Sequence, residues 1–454
     1  MKNWVYRTLL IAILALAGVT FFYKLGQSSL ISWDEAWYGE IAKNILKTGD
    51  FFRLTFNGSP FYDHPPVGFW MMTLSMKFLG TNEIGVRAAS AISGIIAVFL
   101  TYLIGKKLFN KSVGLASSFA LISSPWFTLR ARSGNLDIFL TMFFGLSFVL
   151  TLQSRTHPKF LLPLSASLGL MFLTKSMVPL TFFPVLILML WDTKIGLKNI
   201  IMMTTLFLTI IGIWALPQYL ISLSFNFVQR YFMIGLPGIN SNSPLISNIL
   251  LTKTYLHNGI GIWFRPAIAS LVLGSAMFPK AFLWLFVFLA TFLFPFAFSS
   301  KGHIWHLIPV HPFLLITLFG FIYLLVRKLA NSVALATAIV FTLALYLGIP
   351  QMQKNWNEFI DIPAFVSDEA ILSREAKKYS QPFIIDESFS PAAAFYSDKS
   401  VYYTNAPSLQ EIFTRYPQFV LITHNWRLIR DSINSKDYSI IKKDRDRVLI
   451  RKLN

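Results

Sequence analysis

The stretch SWDEAWYGEIAKNILKTGD, residues 32–50, places two adjacent carboxylic acids, Asp34 and Glu35, directly after an apolar run long enough to cross a bilayer. A carboxylate within hydrogen-bond reach of a substrate hydroxyl can act as general base. A second acid beside it disfavours double ionisation, which favours proton uptake by one of the two. The same pair also suits the start of a helix, and residue chemistry alone leaves both readings open. Further along, Arg130, Arg132 and Asp137 in LRARSGNLDIFL, Lys175 in FLTKSMVPL, and Lys301, His303 and His306 in SSKGHIWHLIPVHP each interrupt or border an apolar run. Ionisable side chains in such places are costly and by default face a cavity rather than lipid. Cations there suit a lipid phosphate, Lys as a point charge and Arg as a bidentate fork; the plain alternative is that the lysines reach up to the headgroups.

The elements that must position these residues are membrane helices. The chain has 454 residues, 54% hydrophobic and 13% charged, with a mean hydropathy of +0.56. A soluble domain carries about 25% charged residues, so this is a polytopic membrane protein. The net charge of +19 reads as loop Lys and Arg that set topology, since no aromatic-and-basic repeat points to nucleic acid. Without cysteine there is no disulfide and no thiolate metal site. Apolar runs near 5–23, 86–105, 113–129, 138–153, 160–174, 177–191, 199–220, 266–279, 281–298, 307–326 and 332–350 predict about eleven spans, and at most about thirteen.

Basic residues before the first span and in GKKLFNK, SRTHPK, DTKIGLK and RK at 327–328 fall at alternate ends of the spans, which predicts a cytoplasmic N-terminus and an outer first loop, 24–85. Within that loop EAWYGEIAKNIL and VGFWMMTLSMKFLG read as helices lying in the membrane interface, with Trp33, Trp37, Tyr38 and Trp70 at headgroup depth. The outer loop 221–265, with GLPGINSNSP in its middle, reads as a mobile segment able to cover a cavity. Residues 1–352 thus form the membrane domain. From 353 to 454 charge rises, and PFIIDES, SVYYT, FVLIT and YSIIKK read as short strands between helical stretches, a small extracytoplasmic α/β domain.

Five stretches in order, DEAWYGEIAKNILKTGD, FYDHPPVGFW, GVRAASAISG, FLTK and SSKGHIWHLIPVHP, resemble the C-type (GT-C) glycosyltransferases related to protein O-mannosyltransferases and bacterial aminoarabinose transferases. The resemblance implies a GT-C fold in a bacterial inner membrane. It also implies transfer of a sugar, with inversion, from a polyprenyl-phosphate carrier to a lipid, glycan or protein hydroxyl at the outer face. By that resemblance Asp34 is the base and Glu35 its companion; Lys175, Lys301 and Arg132 bind the donor phosphate; Tyr38, Asp63, His64, Asp137 and His306 bind substrate. Asp63 resembles an acid that holds a divalent metal or the acceptor. His64 departs from the family's usual Lys before Pro-Pro, and His306 from its usual aromatic. The histidine spacings match no zinc signature, so hydrogen bonding to substrate is the preferred reading.

Two other classes compete. A transporter or flippase of lipid-linked saccharides shares the spans and the cations, yet such proteins commonly place paired repeats and broken helices at the midplane, whereas these polar residues gather at one face. A membrane scaffold has no use for clustered acids and cations.

Overall fold

The computed structural model describes residues 2–175, 177–193, 195–222, 227–228, 244–299 and 302–453. Among them, eight helices are long and apolar enough to cross a membrane: Asn3–Phe22, Glu83–Leu108, Asp137–Ser154, Leu197–Ile221, Leu245–Met277, Pro279–Ala297, Ile304–Ala330 and Val333–Ile360. A ninth forms from Lys111–Ile122 and Pro125–Ala131, bent by 71°. The bend falls where Pro125 opens the second piece, because its ring supplies no amide donor to continue the first. Two expected spans coincide with the shorter apolar helices Pro158–Phe172 and Val178–Leu190, while Val67–Leu79 is the second stretch read as interfacial. Length therefore gives eight or nine spans, and about eleven only if those two short helices also cross.

One expectation needs correcting. Residues 245–260, placed in the polar outer loop, form the helix Leu245–Ile260, which continues towards Met277. Its apolar positions are interleaved with Asn248, Thr252, Lys253 and Asn258, which dilutes the hydropathy that marks a span. Residues 223–226 and 229–243 of the same loop lie outside the described residues.

The chain divides into two compact units, the first comprising Met1–Lys24, Tyr62–Gly68 and Ala88–Ile362. Its central helix is Asp137–Ser154, buried along most of its length. Phe144 and Phe148 on that helix meet Phe182, Phe288, Phe292 and Phe313, the closest pair being Phe288 and Phe313 at 4.2 Å between ring centres. Aromatic pairs offset in this way add to the area they bury. Helix Leu197–Ile221, by contrast, leaves Leu208, Leu216 and Leu220 exposed, an apolar surface that lipid rather than water must solvate.

The second unit comprises Leu25–Phe61, Phe69–Arg87 and Pro363–Asn454. Here β1 (Thr55–Phe56) and β2 (Ser59–Pro60) form a hairpin. Strands β3 (Phe383–Ile385), β4 (Val401–Tyr403), β5 (Val420–His424), β6 (Tyr438–Asp444) and β7 (Arg447–Lys452) form one sheet in the order β4-β3-β5-β7-β6. Strand β3 runs parallel to β4 and β5, with helices Pro391–Ser397 and Leu409–Arg415 in the crossovers; β5, β7 and β6 are antiparallel. Both faces are buried. Phe383, Ile385, Val420 and Ile422 pack on one side and Ile384, Leu421, Val448 and Ile450 on the other, as the two-residue period of a strand requires.

Helix Asp34–Thr48 belongs to this unit. Its acids occupy the first two helical positions and Trp33 the cap, whose side chain makes no capping bond, so neither acid is the cap. Glu35 instead reaches back to the amide of Ile31 at 3.0 Å and is gripped by Arg87, whose Nε and Nη2 each donate to one carboxylate oxygen at 2.8 Å. Arg87 also donates to the carbonyls of Leu25, Ser28 and Ser29. This bidentate, charge-assisted pair is buried. Glu35→Ala leaves the guanidinium charge uncompensated and should cost ~3–5 kcal/mol, read as a lower melting midpoint of the purified protein in detergent. An unchanged midpoint would show that the pair does not hold this segment.

Candidate active site

Three local features bring the polar residues of the first unit together. Pro65 and Pro66 fix an extended approach, after which the Val67 amide donates to the Leu173 carbonyl at 2.8 Å. That bond ties the Asp63–His64 segment to the chain just before Lys175. Gly68 lies so close to the start of helix Asp137–Ser154 that a Cβ there would stand 2.2 Å from Leu136 Cδ2, so any larger residue requires the Leu136 side chain to shift. Third, the turn before Asp137 is held by buried Asn135, whose Oδ1 accepts from the Ile138 amide at 3.0 Å while its Nδ2 donates to the carbonyls of Arg130 and Ser133.

At the centre is Asp137, a buried acid in the first turn of its helix, where the macrodipole favours negative charge. Lys175 Nζ donates to its Oδ1 at 2.5 Å and Arg130 Nη2 to its Oδ2 at 3.2 Å. Two cations thus contact one carboxylate, one on each oxygen. Arg130 also lies over the Trp305 ring, 5.2 Å from its centre, with Trp126 on the same indole at 5.9 Å. Trp305 stacks on His303 at 4.5 Å, and His306 Nδ1 accepts from the His303 amide at 3.3 Å. His306 stands within electrostatic reach of Lys175, Asp137 and Arg130. His64 faces the same group. Burial first, and the Lys175 ammonium second, push it down to about 3, so at neutral pH its imidazole is an uncharged hydrogen-bonding group.

The sequence-derived candidates thus separate. Lys175, Asp137, His64 and His306 gather in the first unit, with Asp63 adjacent to His64 along the chain. Arg132, expected at the phosphate, directs Nη1 to the Thr20 carbonyl at 2.6 Å and Nη2 to the Tyr23 carbonyl at 2.7 Å, at the end of helix Asn3–Phe22. The arginine at the cluster is Arg130, and Asp137 pairs with it rather than with Arg132. Lys301 lies outside the described residues. Asp34, Glu35 and Tyr38 belong to the second unit. There Asp34 is half-buried, and Tyr38 is buried edge-on against Phe69 at 5.6 Å and stacked with Trp37 at 6.0 Å. Trp37 and the exposed Trp33 both meet the Phe389 ring edge-on at 5.3 Å, so aromatic rings pack beside the acids. Among the described residues no three His, Asp or Glu side chains converge on a common point as metal ligands. Asp63 and His64 alone do not make the three or four protein ligands of a zinc site.

Part of the chain is similar to known proteins. Residues 63–217 match the family described as dolichyl-phosphate-mannose-protein mannosyltransferase. An undecaprenyl phosphate-alpha-4-amino-4-deoxy-L-arabinose arabinosyl transferase of Pseudomonas fluorescens is 33% identical over 189 residues, 38% of this chain and 33% of the relative. An uncharacterized protein of Aquifex aeolicus is 34% identical over 142 residues, 31% of this chain and 28% of that one. The chain therefore spans about a third of the length of these curated relatives. The fold is shared with ArnT from Cupriavidus metallidurans, crystallised with undecaprenyl phosphate, at a TM-score of 0.73 and 17% identity over 99% of this chain and 98% of that one. The matched segment opens at Asp63 and takes in Asp137 and Lys175, and the likeness to ArnT extends the shared fold over nearly the whole chain.

Proposed function

We propose that the protein transfers a sugar from a polyprenyl-phosphate carrier to an acceptor hydroxyl, with inversion, at the outer face of a bacterial inner membrane. The observation that carries this reading is the convergence of Lys175 and Arg130 on buried Asp137, with His64 facing the same group, a site suited to a lipid phosphate. The names of the relatives support the donor class, and the alternation of basic loops supports the sidedness. In the proposed reaction Asp34 takes the acceptor hydroxyl proton as the oxygen attacks the anomeric carbon. The bond from that carbon to the phosphate oxygen breaks with its electron pair, and polyprenyl phosphate leaves with the added negative charge. Lys175, held by Asp137 with donors to spare, stabilises that charge, and Arg130 adds to the field. Glu35, with both oxygens on Arg87, serves by positioning the helix start that carries Asp34. Lys301 keeps its assignment to the phosphate from the sequence resemblance. Asp63, His64 and His306 are assigned to substrate hydroxyls, as is Tyr38 through its phenol.

Purified protein supplied with lipid-linked sugar and candidate acceptors should release free polyprenyl phosphate only with the right acceptor. Asp34→Asn keeps size and should lower turnover by ~100-fold or more while carrier binding persists; near-normal turnover would remove Asp34 as base.

Lys175→Ala should weaken carrier binding and slow transfer by ~100-fold, with partial rescue in Lys175→Arg, because charge on the phosphate grows in the transition state. Release unchanged in both Lys175 variants would reject the phosphate role.

Reporter fusions after Gly58 and after Lys378 should both report the outer compartment. A cytoplasmic signal from either overturns the sidedness.

A further inference from the structure

The candidate span Leu245–Met277 carries two cations, Lys253 and Arg265, in a stretch otherwise rich in Leu and Ile. It is interrupted at Gly261, whose φ of +69° disfavours residues with a Cβ, and a single 3-10 turn, Gly261–Trp263, separates its two helical pieces. Arg265 is the second residue of the second piece, Phe264–Met277. There the positive end of the helix dipole disfavours a cation, and membrane depth disfavours it further. Among the described residues no carboxylate lies within ion-pair distance of Arg265 or Lys253. Lys354 has Glu358 at 3.8 Å. Arg265 is nonetheless part of the wall of two cavities of about 590 Å³ each. One is apolar, formed by Ile249, Leu256, Phe264, Ile268 and Leu293, with Lys253 at its wall. The other is mixed, with His257, Asn258, Gln351, Lys354 and Glu358 beside Trp126, Leu129 and Ile262. Neither includes Asp137, Lys175, His64 or His306.

We propose that these two cavities together hold one anionic phospholipid of the surrounding bilayer, its phosphate on Arg265, its headgroup towards Lys354 and one acyl chain in the apolar cavity. An amphiphile is the ligand class that fits an apolar and a mixed cavity joined at a cation. The charge is settled by the count: Lys253, Arg265 and Lys354 against Glu358 leave an excess of two positive charges. A phosphodiester there would compensate Arg265 in a setting where an uncompensated guanidinium is expensive. Exposed Ile246, Leu250 and Ile262 on the same span give a lipid a continuous apolar approach. The site shares none of the residues assigned to the donor phosphate, although Trp126 in its wall packs on the Trp305 ring beside Arg130.

The test is native mass spectrometry of the full-length protein released from nanodiscs containing phosphatidylglycerol and phosphatidylcholine in equal amounts. Wild type should retain one phosphatidylglycerol under activation that strips phosphatidylcholine. Arg265→Gln and Lys354→Gln should each reduce that retention by ~10-fold or more, the scale of one charge-assisted hydrogen bond, and Arg265→Lys should restore part of it. Melting midpoints equal to wild type would exclude unfolding as the cause. Equal retention of the two lipids, or undiminished phosphatidylglycerol in both Gln variants, overturns the proposal. Displacement of the phosphatidylglycerol by polyprenyl phosphate also overturns it, by making this the carrier's own site, whereas a Lys175→Ala variant that keeps the phospholipid supports separate sites.

Discussion

A carboxylate inside a membrane protein cannot be left alone, and the first unit is arranged around that constraint at Asp137. Removing one partner of a buried ion pair costs several kcal/mol, because the other charge is stranded in a poorly polarisable surrounding. Asp137 has two partners, Lys175 and Arg130, brought by segments 38 and seven residues away. Each partner recruits further order. Lys175 follows a chain segment fastened to Val67, and Arg130 rests on Trp305, whose ring orients the histidines beside it. Asp137 is thus the fixed point on which both cations are held. On the proposed reading a phosphate is met by cations already in place, with no unpaired lysine required in the resting state.

The second unit solves a similar problem with the opposite balance. Glu35 and Arg87 neutralise one another, and the remaining guanidinium donors close the carbonyls of Leu25, Ser28 and Ser29, which no helix or strand satisfies. Lys43 does the same for helix Pro391–Ser397, donating to the Phe395 carbonyl at 2.6 Å and pairing with Asp398 at 2.8 Å. Helix Asp34–Thr48 is therefore pinned at its start and its middle by buried charge. A half-buried Asp34 at the first position of so constrained a helix has little freedom to wander, which suits a group proposed to meet one substrate proton.

Hydropathy made the long spans legible, because their apolar residues run without interruption. The strands near the C-terminus were legible for the corresponding reason: FII, VYY, VLIT and SII stand in short apolar runs between polar residues. Legibility failed where one local pattern carries two meanings. Arg130 and Arg132 are two residues apart, and which one faces Asp137 depends on the last turn of helix Pro125–Ala131 and on the Asn135 turn after it. Glu35 beside Asp34 read as a catalytic pair; its partner Arg87 lies 52 residues away and sits in a stretch, GVRAASAISG, otherwise noticed only for its family likeness. The helix Leu245–Ile260 was obscured by its polar positions, among them the lysine that stands at the apolar cavity.

The two histidines sharpen what the cluster can do. His64 occupies the position where related proteins usually carry a lysine, and its burial keeps it neutral. A lysine there would have brought a charge of its own to the phosphate; a neutral imidazole brings one donor and one acceptor. On the proposed reading the electrostatic demand of a leaving phosphate falls on Lys175 and Arg130, while hydrogen-bonding capacity is gathered on His64 and His306. A neutral donor-acceptor pair beside a fixed cation discriminates by hydroxyl geometry more than by charge. On the proposed reading, donor affinity in this protein is governed by Lys175 and Arg130, and the choice of sugar by the rings that face them.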